Sequence, residues 1–203
     1  MEAKSHWEAI YQQNRPVDVS WYAPHLGVSL QLLARAGLSR DSRVIDVGGG
    51  ASTLVDDLLE REIEHLTVLD ISGRSLTVSK ARLGDRAQRA HWIEADITEA
   101  TLPSQAYDLW HDRALFHFLA TIEQRSRYLT MMRDALTPTG QVILATFSLQ
   151  GPPRCSGLEV VRYSPETLQR ELPGFTLIEA IEDVHHTPFH TVQQFIYCRF
   201  QRV

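Results

Sequence analysis

The chain has 203 residues, a formal net charge of −5 and two cysteines. This length predicts one domain, over residues 1–203, with a core large enough to fold alone. The net negative charge and the lack of a cluster of basic residues argue against nucleic-acid binding. The sequence has no apolar stretch of 18 residues, so no membrane span is expected. The N-terminal residues lack the apolar core of a signal peptide and two cysteines are too few for a disulfide framework, so we expect a cytoplasmic protein.

The first 36 residues have an organisation of their own. Segments 3–14 and 25–36 have helical patterns, and a loop with two prolines joins them. We interpret residues 1–36 as a helical lid, because sealing a ligand from water needs large apolar side chains on a movable segment. The alternative is a hydrophobic clasp without a ligand. The aromatic side chains concerned are Trp7, Tyr11, Trp21 and Tyr22.

Short apolar runs alternate with helical patterns from residue 43 onward. Each run is bounded by turns or charges, as is typical of strands buried in a parallel sheet. Ser72 is placed to cap a helix over 73–83, and a second helix over 121–136 is expected to end near Pro138 and Gly140. Repeated strand–helix–strand units predict right-handed crossovers. The predicted strands are 43–47, 66–70, 90–94, 107–111 and 141–147.

The C-terminal part follows a different pattern. Residues 148–158 read as a loop, and Ser164 with Pro165 begins a short helix. Two last strands, about 175–185 and 192–200, have only a turn between them and must form an antiparallel hairpin. The predicted fold class is therefore α/β: a Rossmann-like seven-stranded sheet, mostly parallel with an antiparallel C-terminal hairpin, and with helices on both faces.

A glycine stretch follows the first predicted strand. Residues 44–50 read V-I-D-V-G-G-G, and Asp70 ends the next apolar run. Glycines let the backbone turn sharply and approach a ligand, and a carboxylate at the tip of the next strand can accept both hydroxyls of a ribose. No Gly-Lys-Ser/Thr follows, which excludes a P-loop, and Thr53 occupies the third glycine position of a dinucleotide fingerprint. An ordinary strand–turn–helix is the alternative to a ligand site.

The glycine stretch resembles motif I of the class I S-adenosylmethionine (SAM) methyltransferases, and five later features match that family in order: Asp70, Asp96, the fourth strand, the fifth strand and the antiparallel hairpin. The resemblance implies SAM as the cofactor. Asp46 would organise the loop and the methionine end, Asp70 would bind the ribose, and Asp96 would meet the adenine amino group. For Asp96 the alternative is a cap on a following helix. The implied cofactor-binding residues are Asp46, Gly48, Gly49, Gly50, Asp70, Ile71, Asp96, Ile97, His111 and Trp21.

The exit of the fourth predicted strand reads His111-Asp112-Arg113-Ala114-Leu115. This segment resembles the D-R-G-A-L segment of the thiopurine S-methyltransferases, although C-S-G-L at 155–158 departs from that family. Some protein-lysine methyltransferases share a similar segment, so the acceptor stays open. The resemblance makes His111, Asp112 and Arg113 the candidate catalytic residues. Arg113 would clamp an anion of the substrate, or else form a structural pair with Asp112.

Further candidates line the expected acceptor side. Cys155 favours a soft acceptor if it touches substrate, and it could instead be a small buried residue or, with three C-terminal histidines, hold a soft metal. The spacing C-x29-H-H-x3-H is no recognised zinc pattern, so no metal is expected. For His117 packing inside a helix is the alternative. The candidate substrate residues are Trp7, Tyr11, Tyr22, Phe116, His117, Cys155, Arg162, His186 and His190.

We therefore expect a SAM-dependent methyltransferase acting on a small soluble acceptor, with a thiol or other chalcogen nucleophile preferred. A soft anion is already reactive near neutral pH and needs no strong base. The alternatives are a protein-lysine methyltransferase, a non-catalytic sensor of SAM or a soft metal, and, remotely, a nicotinamide oxidoreductase. The sequence does not set the oligomeric state.

Overall fold

The computed structural model describes residues 2–203. Its α-helices are α1 (Glu2–Gln13), α2 (Gly27–Arg35), α3 (Leu54–Glu60), α4 (Gly73–Leu83), α5 (Ile122–Ala135) and α6 (Pro165–Glu171). Its strands are β1 (Arg43–Val47), β2 (His65–Asp70), β3 (Ala90–Glu94), β4 (Tyr107–Arg113), β5 (Leu136–Phe147), β6 (Arg154–Cys155), β7 (Leu158–Glu159), β8 (Phe175–His186) and β9 (Val192–Arg202). Short 3₁₀ helices cover Pro16–Asp18, Gly84–Arg89 and Phe116–Phe118. No helix within residues 2–203 is both long and apolar enough to cross a bilayer.

Seven of these strands form one sheet in the order β3-β2-β1-β4-β5-β9-β8. The first five run parallel, and β9 runs antiparallel to both of its neighbours, β5 and β8. The predicted fold class is confirmed, including the C-terminal antiparallel hairpin. The strand order reverses between β1 and β4, which places a topological switch point at that junction.

The helices cover both faces of the sheet, as predicted. Side chains alternate between faces along a strand, so Val44 belongs to one buried cluster and Ile45 to the other. Helices α2, α3 and α4 pack on the Val44 face, whereas α5 and α6 pack on the Ile45 face through Met132 and Leu168. The strand ends are therefore the part of the sheet that remains open to a ligand.

Two element bounds differ from the prediction. Helix α5 ends at Ala135 and Leu136 already has extended backbone angles (φ −80°, ψ 143°), so residues 136–140, which precede the predicted strand 141–147, lie within β5. The physical reason is Pro138, which disfavours helical angles in the residue before it and has no N–H for a helix. The segment after Phe147 is a loop as predicted, but it contains the two-residue strands β6 and β7.

Candidate functional site

A cavity lies at the edge of the sheet where β1, β2, β4 and β5 end. Because β9 is antiparallel, its first residues lie at this same edge, opposite the last residues of β5. Helix α1 and the loop before α2 also contribute to the wall. The cavity is lined by Ala3, Trp7, Tyr11, Trp21, Gly48, Asp70, Ile71, Ala95, Asp96, Ile97, Thr98, Arg113, Ala114, Leu115, Phe118, Leu119, Gln124, Phe147, Cys155, Leu158, Gln193 and Phe195.

The glycine loop is packed too tightly for any side chain. Gly48 has a left-handed backbone (φ +71°), and a Cβ there would lie 2.8 Å from Leu115 Cδ1. A Cβ at Gly49 would lie 2.5 Å from Asp46 Oδ2, and one at Gly50 would lie 2.7 Å from Asp70 Oδ2. The loop therefore runs between two carboxylates. Gly48 lines the cavity, while Gly49 and Gly50 allow Asp46 and Asp70 to approach the loop.

Asp70 stands at the end of β2 and is 7% exposed. Its Oδ1 accepts a hydrogen bond of 2.8 Å from the Ser72 amide. Burial raises the pKa of Asp70 to about 6, and the Ser72 amide and the Ser75 hydroxyl oppose that rise. Asp70 and the neighbouring Ile71 both line the cavity. A buried carboxylate with acceptor capacity left over fits a ligand that presents hydroxyl donors.

Asp96 and Ile97 line the same part of the cavity. Asp96 Oδ1 accepts hydrogen bonds of 2.8 Å from both the amide and the hydroxyl of Thr98. Residues 97–99 form a turn and the next α-helix is α5, so the alternative of Asp96 as a cap on a following helix is wrong. The turn holds the carboxylate at the wall, where an N–H donor of a ligand can reach it.

His111 and Asp46 form a buried chain behind the glycine loop. His111 Nδ1 lies 2.7 Å from Asp46 Oδ1, and His111 Nε2 lies 2.8 Å from Ser29 Oγ of helix α2. Both ring nitrogens are therefore engaged, and neither His111 nor Asp46 lines the cavity. Asp46 Oδ2 is buried with no hydrogen-bond partner among residues 2–203. Asp46 therefore lies behind the glycine loop, and the Asp70 carboxylate is the group at the cavity wall that fits a donor-rich ligand such as SAM.

Asp112 does not pair with Arg113, so the predicted alternative of a structural Asp112–Arg113 pair is wrong. Successive side chains of a strand point to opposite faces, and Asp112 turns into the core. There its Oδ2 accepts from the Tyr128 hydroxyl at 2.7 Å, and its Oδ1 accepts from the Leu115 and Phe116 amides. Burial raises the pKa of Asp112 to about 6, and these hydrogen bonds limit the rise. Asp112 thus shapes the turn that presents Leu115 to the cavity.

We expect Tyr128→Phe to destabilise the fold by about 2 to 4 kcal/mol. The Tyr128 hydroxyl also accepts a 2.8 Å hydrogen bond from the Trp110 indole, so its removal leaves a carboxylate oxygen and an indole N–H unpartnered in the core. The loss of stability should be larger at pH 8 than at pH 5, because the unpartnered Asp112 oxygen destabilises the native state most when the carboxyl is ionised. Thermal unfolding at both pH values measures this. Tyr107→Phe, whose hydroxyl has no hydrogen bond in the described chain, is the matched control, and equal losses for the two variants would contradict the role of Tyr128.

Arg113 occupies the other side of the cavity, where β4, β5 and β9 meet. Its Nε donates to the Tyr197 hydroxyl at 2.9 Å and its Nη1 donates to the Trp21 carbonyl at 2.9 Å. The guanidinium lies 4.8 Å from the centroid of the Phe195 ring. Arg113 therefore joins the N-terminal segment to the C-terminal hairpin. Phe147, Phe195 and Leu158 make this side apolar and aromatic.

Cys155 also lines this side and is 6% exposed. Burial raises the pKa of the Cys155 thiol, so it stays protonated near neutral pH. His185 is close by in the fold, with Nε2 2.9 Å from the Ser20 carbonyl, and burial lowers its pKa. Residues 2–203 contain no group of three histidine, cysteine, aspartate or glutamate side chains that could hold a metal ion.

The structure brings only some of the predicted substrate residues to the cavity. Trp7, Tyr11 and Cys155 line it, and Tyr22 lines a smaller pocket beside it. The others lie elsewhere: Phe116 and His117 are fully buried, Arg162 is exposed and donates to the Leu149 and Gly151 carbonyls, and His186 and His190 are exposed near the turn of the C-terminal hairpin. Burial also lowers the pKa of His117 to about 3, so it is neutral in the core.

Several wall residues were missed from the sequence. Phe147 ends a predicted strand, and the rule that ligands bind at the carboxyl ends of parallel strands could have found it. Gln193 and Phe195 lie at the start of β9, and only the antiparallel direction of that strand brings them to the site. Leu115 and Phe118 face the cavity while Phe116 and His117 do not, and a three-residue 3₁₀ turn has no periodicity from which to read this.

Comparison with known proteins agrees with this geometry. Residues 44–140 match the family model described as a methyltransferase domain. The L-histidine 2-aminobutanoyltransferase of Pseudomonas aeruginosa is 28% identical over 113 residues, which are 55% of this chain and 41% of that protein. The ubiquinone/menaquinone biosynthesis C-methyltransferase of Methylobacterium nodulans is 27% identical over 117 residues, 56% of this chain and 45% of that protein. The chain thus spans less than half the length of these curated relatives.

Solved structures match over nearly the whole chain. A SAM-dependent methyltransferase from Anabaena variabilis has a TM-score of 0.77 at 15% identity and covers 100% of this chain and 96% of its own. The 1,6-didemethyltoxoflavin-N1-methyltransferase of Burkholderia thailandensis, solved with S-adenosylhomocysteine, has a TM-score of 0.73 at 19% identity and covers 99% and 87%. Residues 44–140 therefore match a methyltransferase domain, and the chain as a whole has the fold of the SAM-dependent methyltransferases.

Proposed function

We propose that this chain transfers the methyl group of SAM to a small acceptor, and that the reacting atom of the acceptor is a thiolate or another chalcogen anion. Bound SAM supplies a methyl carbon on a sulfonium. The lone pair of the acceptor forms the new bond as the carbon–sulfur bond breaks, and the released electron pair stays on the cofactor sulfur as a thioether. The protein has to align the two atoms and exclude water.

The observation that carries the chalcogen preference is the lack of a general base on the acceptor side. Among the described residues that line the cavity, the carboxylates are Asp70 and Asp96, at the side assigned to adenosine. His111 and Asp112 are turned away, and the Cys155 thiol is protonated near neutral pH. An amine or alcohol needs a proton removed during attack, whereas a thiolate does not.

The same side favours a small acceptor over a protein lysine. Phe147 and Phe195 close it from the sheet, Leu158 closes it from the β6–β7 hairpin, and the N-terminal segment covers it. A lysine ammonium would have to lose a proton in this apolar space, beside the cation of Arg113. Small-molecule transfer is therefore the reaction that the wall supports.

The test is a product analysis with SAM and a panel of aryl and alkyl thiols, selenols, amines and a cell lysate. We expect methylated thiols or selenols by mass spectrometry. Methylation of an amine without any thiol or selenol product would contradict the chalcogen preference, and label from SAM in a protein band would favour the lysine alternative. The product mass also separates methyl transfer from transfer of a larger group, such as the name of the Pseudomonas aeruginosa relative describes. SAM binding without any product would favour the sensor alternative.

We further propose that helix α1 acts as the lid over the cofactor. It contains no buried residue, and ion pairs tie it to the body: Lys4 to Glu94 at 2.5 Å and Arg74 to Glu8 at 3.0 Å. Trp7 packs edge-on against Phe118, with ring centroids 5.0 Å apart. Exposed ion pairs contribute little stability, so this element can open at low cost.

We expect Trp7→Ala to weaken SAM binding about tenfold and to leave the melting temperature of the unliganded protein nearly unchanged. Trp7 lines the cavity but does not belong to either core cluster, so its loss opens the lid without opening the core. Isothermal titration and thermal unfolding measure the two effects. Trp7→Phe should restore most of the affinity, and Ile122→Ala, at an exposed site outside the cavity, is the control. A large drop in melting temperature would instead assign Trp7 to the fold.

A further inference from the structure

We propose that Arg113 forms a carboxylate-binding subsite at the junction between the main cavity and the smaller pocket beside it. This inference deepens the proposed function and rests on it, since it assumes that a SAM-type ligand and an acceptor share the main cavity.

Arg113 carries a charge that the protein leaves uncompensated. Within residues 2–203 it forms no ion pair with a carboxylate, although most other partly buried arginines of the sheet do so, such as Arg199 with Glu179 at 2.6 Å. The adjacent Asp112 is engaged by Tyr128 on the opposite face. The ionisable neighbours do not supply a negative charge either: burial, then Arg113 itself, lowers the pKa of His185, and burial raises that of Cys155. A partly buried cation without a counter-ion costs free energy that an anionic ligand would recover.

The guanidinium is also held in a fixed orientation. The Tyr197 hydroxyl and the Trp21 carbonyl accept from Nε and Nη1, and the Phe195 ring lies beneath the guanidinium plane. Nη2 donates to no acceptor in the described part of the chain, and it is not among the buried unpartnered atoms. A planar, pre-oriented fork with free N–H groups matches the geometry of a carboxylate better than that of a neutral group.

The position of Arg113 explains how such a ligand would reach it. Arg113 and Trp21 line both the main cavity and the smaller pocket, which is also lined by Ala51, Ser52 and Thr53 directly after the glycine loop. A carboxylate at this junction can belong to the amino-acid end of the cofactor or to the acceptor. The chemistry is the same in both cases, and the two sources separate experimentally.

The cofactor is tested by titrating S-adenosylhomocysteine and 5′-methylthioadenosine, which lacks the amino-acid end, into the wild-type protein and Arg113→Gln. If the carboxylate comes from the cofactor, the affinity for S-adenosylhomocysteine falls at least tenfold while that for 5′-methylthioadenosine is retained. Arg61→Gln, an exposed arginine outside the cavity, is the matched control. Retained binding of 5′-methylthioadenosine also shows that the variant is folded.

The acceptor is tested by titrating benzoate and benzamide into the complex with S-adenosylhomocysteine. If the carboxylate comes from the acceptor, benzoate binds at least tenfold more tightly than benzamide, and Arg113→Gln removes the difference while leaving the affinity for S-adenosylhomocysteine intact. Unchanged binding in both titrations overturns the subsite. A wild-type protein that binds neither adenosine ligand overturns the proposed function instead.

Arg113→Lys covers the case in which Arg113→Gln does not fold. The lysine keeps the positive charge and loses the planar fork, so a several-fold loss for the carboxylate ligand is the expected result. An unchanged affinity of Arg113→Lys for both S-adenosylhomocysteine and benzoate overturns the subsite as a bidentate site.

Discussion

Asp70→Asn should weaken SAM binding roughly 30- to 150-fold, which corresponds to about 2 to 3 kcal/mol. The exchange keeps the shape of the side chain and the acceptor for the Ser72 amide, but it removes the charge that strengthens hydrogen bonds from ligand hydroxyls. Isothermal titration measures the change. Asp85→Asn, at an exposed position on the 3₁₀ helix Gly84–Arg89, is the matched control and should bind like the wild type. Equal affinities of Asp70→Asn and the wild type would remove the ribose assignment.

Because the pKa of Asp70 is raised, Asp70→Asn should also change how the stability of the unliganded protein depends on pH. Burial moves this pKa from 3.8 to about 6, so the unliganded native state binds a proton more tightly than the unfolded chain does. The stability associated with the neutral form is complete below about pH 4 and is lost as the pH rises through 6. Asp70→Asn should therefore raise the melting temperature of the unliganded protein at pH 8, by about 6 to 12 °C, and have little effect at pH 4.

The ligand should show the opposite trend with pH. The proposed contact of Asp70 with the ribose of SAM needs the ionised carboxylate, so the affinity of the wild-type protein should fall as the pH drops below about 6, and that of Asp70→Asn should not. A variant that gains stability as it loses affinity is expected where a site holds a charge in a buried position for its ligand. A lower melting temperature of Asp70→Asn at pH 8 would contradict the assignment of burial as the cause of the raised pKa.

Gly48→Ala should lower the stability by about 1 to 3 kcal/mol and weaken SAM binding at least tenfold. Gly48 has φ +71°, and an added Cβ would lie 2.9 Å from Leu115 Cβ, which is fixed to the backbone and cannot rotate away. The Leu115 amide is itself held by Asp112 at 2.9 Å, so the strain has to move the cavity wall.

The matched control is Gly27→Ala at the start of α2. A Cβ there meets nothing within 4 Å, and the backbone needs no left-handed angle. We expect this variant to bind SAM normally and to be as stable as the wild type or slightly more stable, since alanine reduces the entropy of the unfolded chain. Thermal unfolding and titration of both variants decide the point. Equal stabilities and equal SAM affinities of the two variants would show that the loop at Gly48 can accommodate a Cβ.

The confirmed fold class and the strand-end residues of the cavity proposed to bind adenosine were predictable from the sequence. Gly48 directly follows β1, Asp70 is the last residue of β2 and Asp96 lies two residues after β3, and parallel strands bring their carboxyl ends to one edge. The position of such a residue depends on local sequence and one topological rule. That is why these residues line the cavity where the pattern places them.

The neighbouring roles of Asp112 and Arg113 were not predictable in this way. Residues 111–115 mark the end of β4. Which of the adjacent side chains of Asp112 and Arg113 faces the cavity depends on how β4 pairs with the neighbouring strands of the sheet. The structure turns Asp112 to Tyr128, 16 positions away in sequence, and Arg113 to Tyr197, 84 positions away. His111 likewise depends on Ser29 of a helix that precedes the sheet. Contacts of such separation leave no local pattern.

By itself, the sequence determined the fold and the glycines and carboxylates at the strand ends, because glycine conformations and strand periodicity act over a few neighbouring residues. Only the tertiary structure decided what lines the proposed acceptor side of the cavity, since that wall combines Arg113 from β4, Phe147 from β5, Gln193 and Phe195 from β9 and Trp21 from the N-terminal segment. The antiparallel direction of β9 places its first residues beside the last residues of β5. This contact cannot be predicted from the sequence of either strand alone.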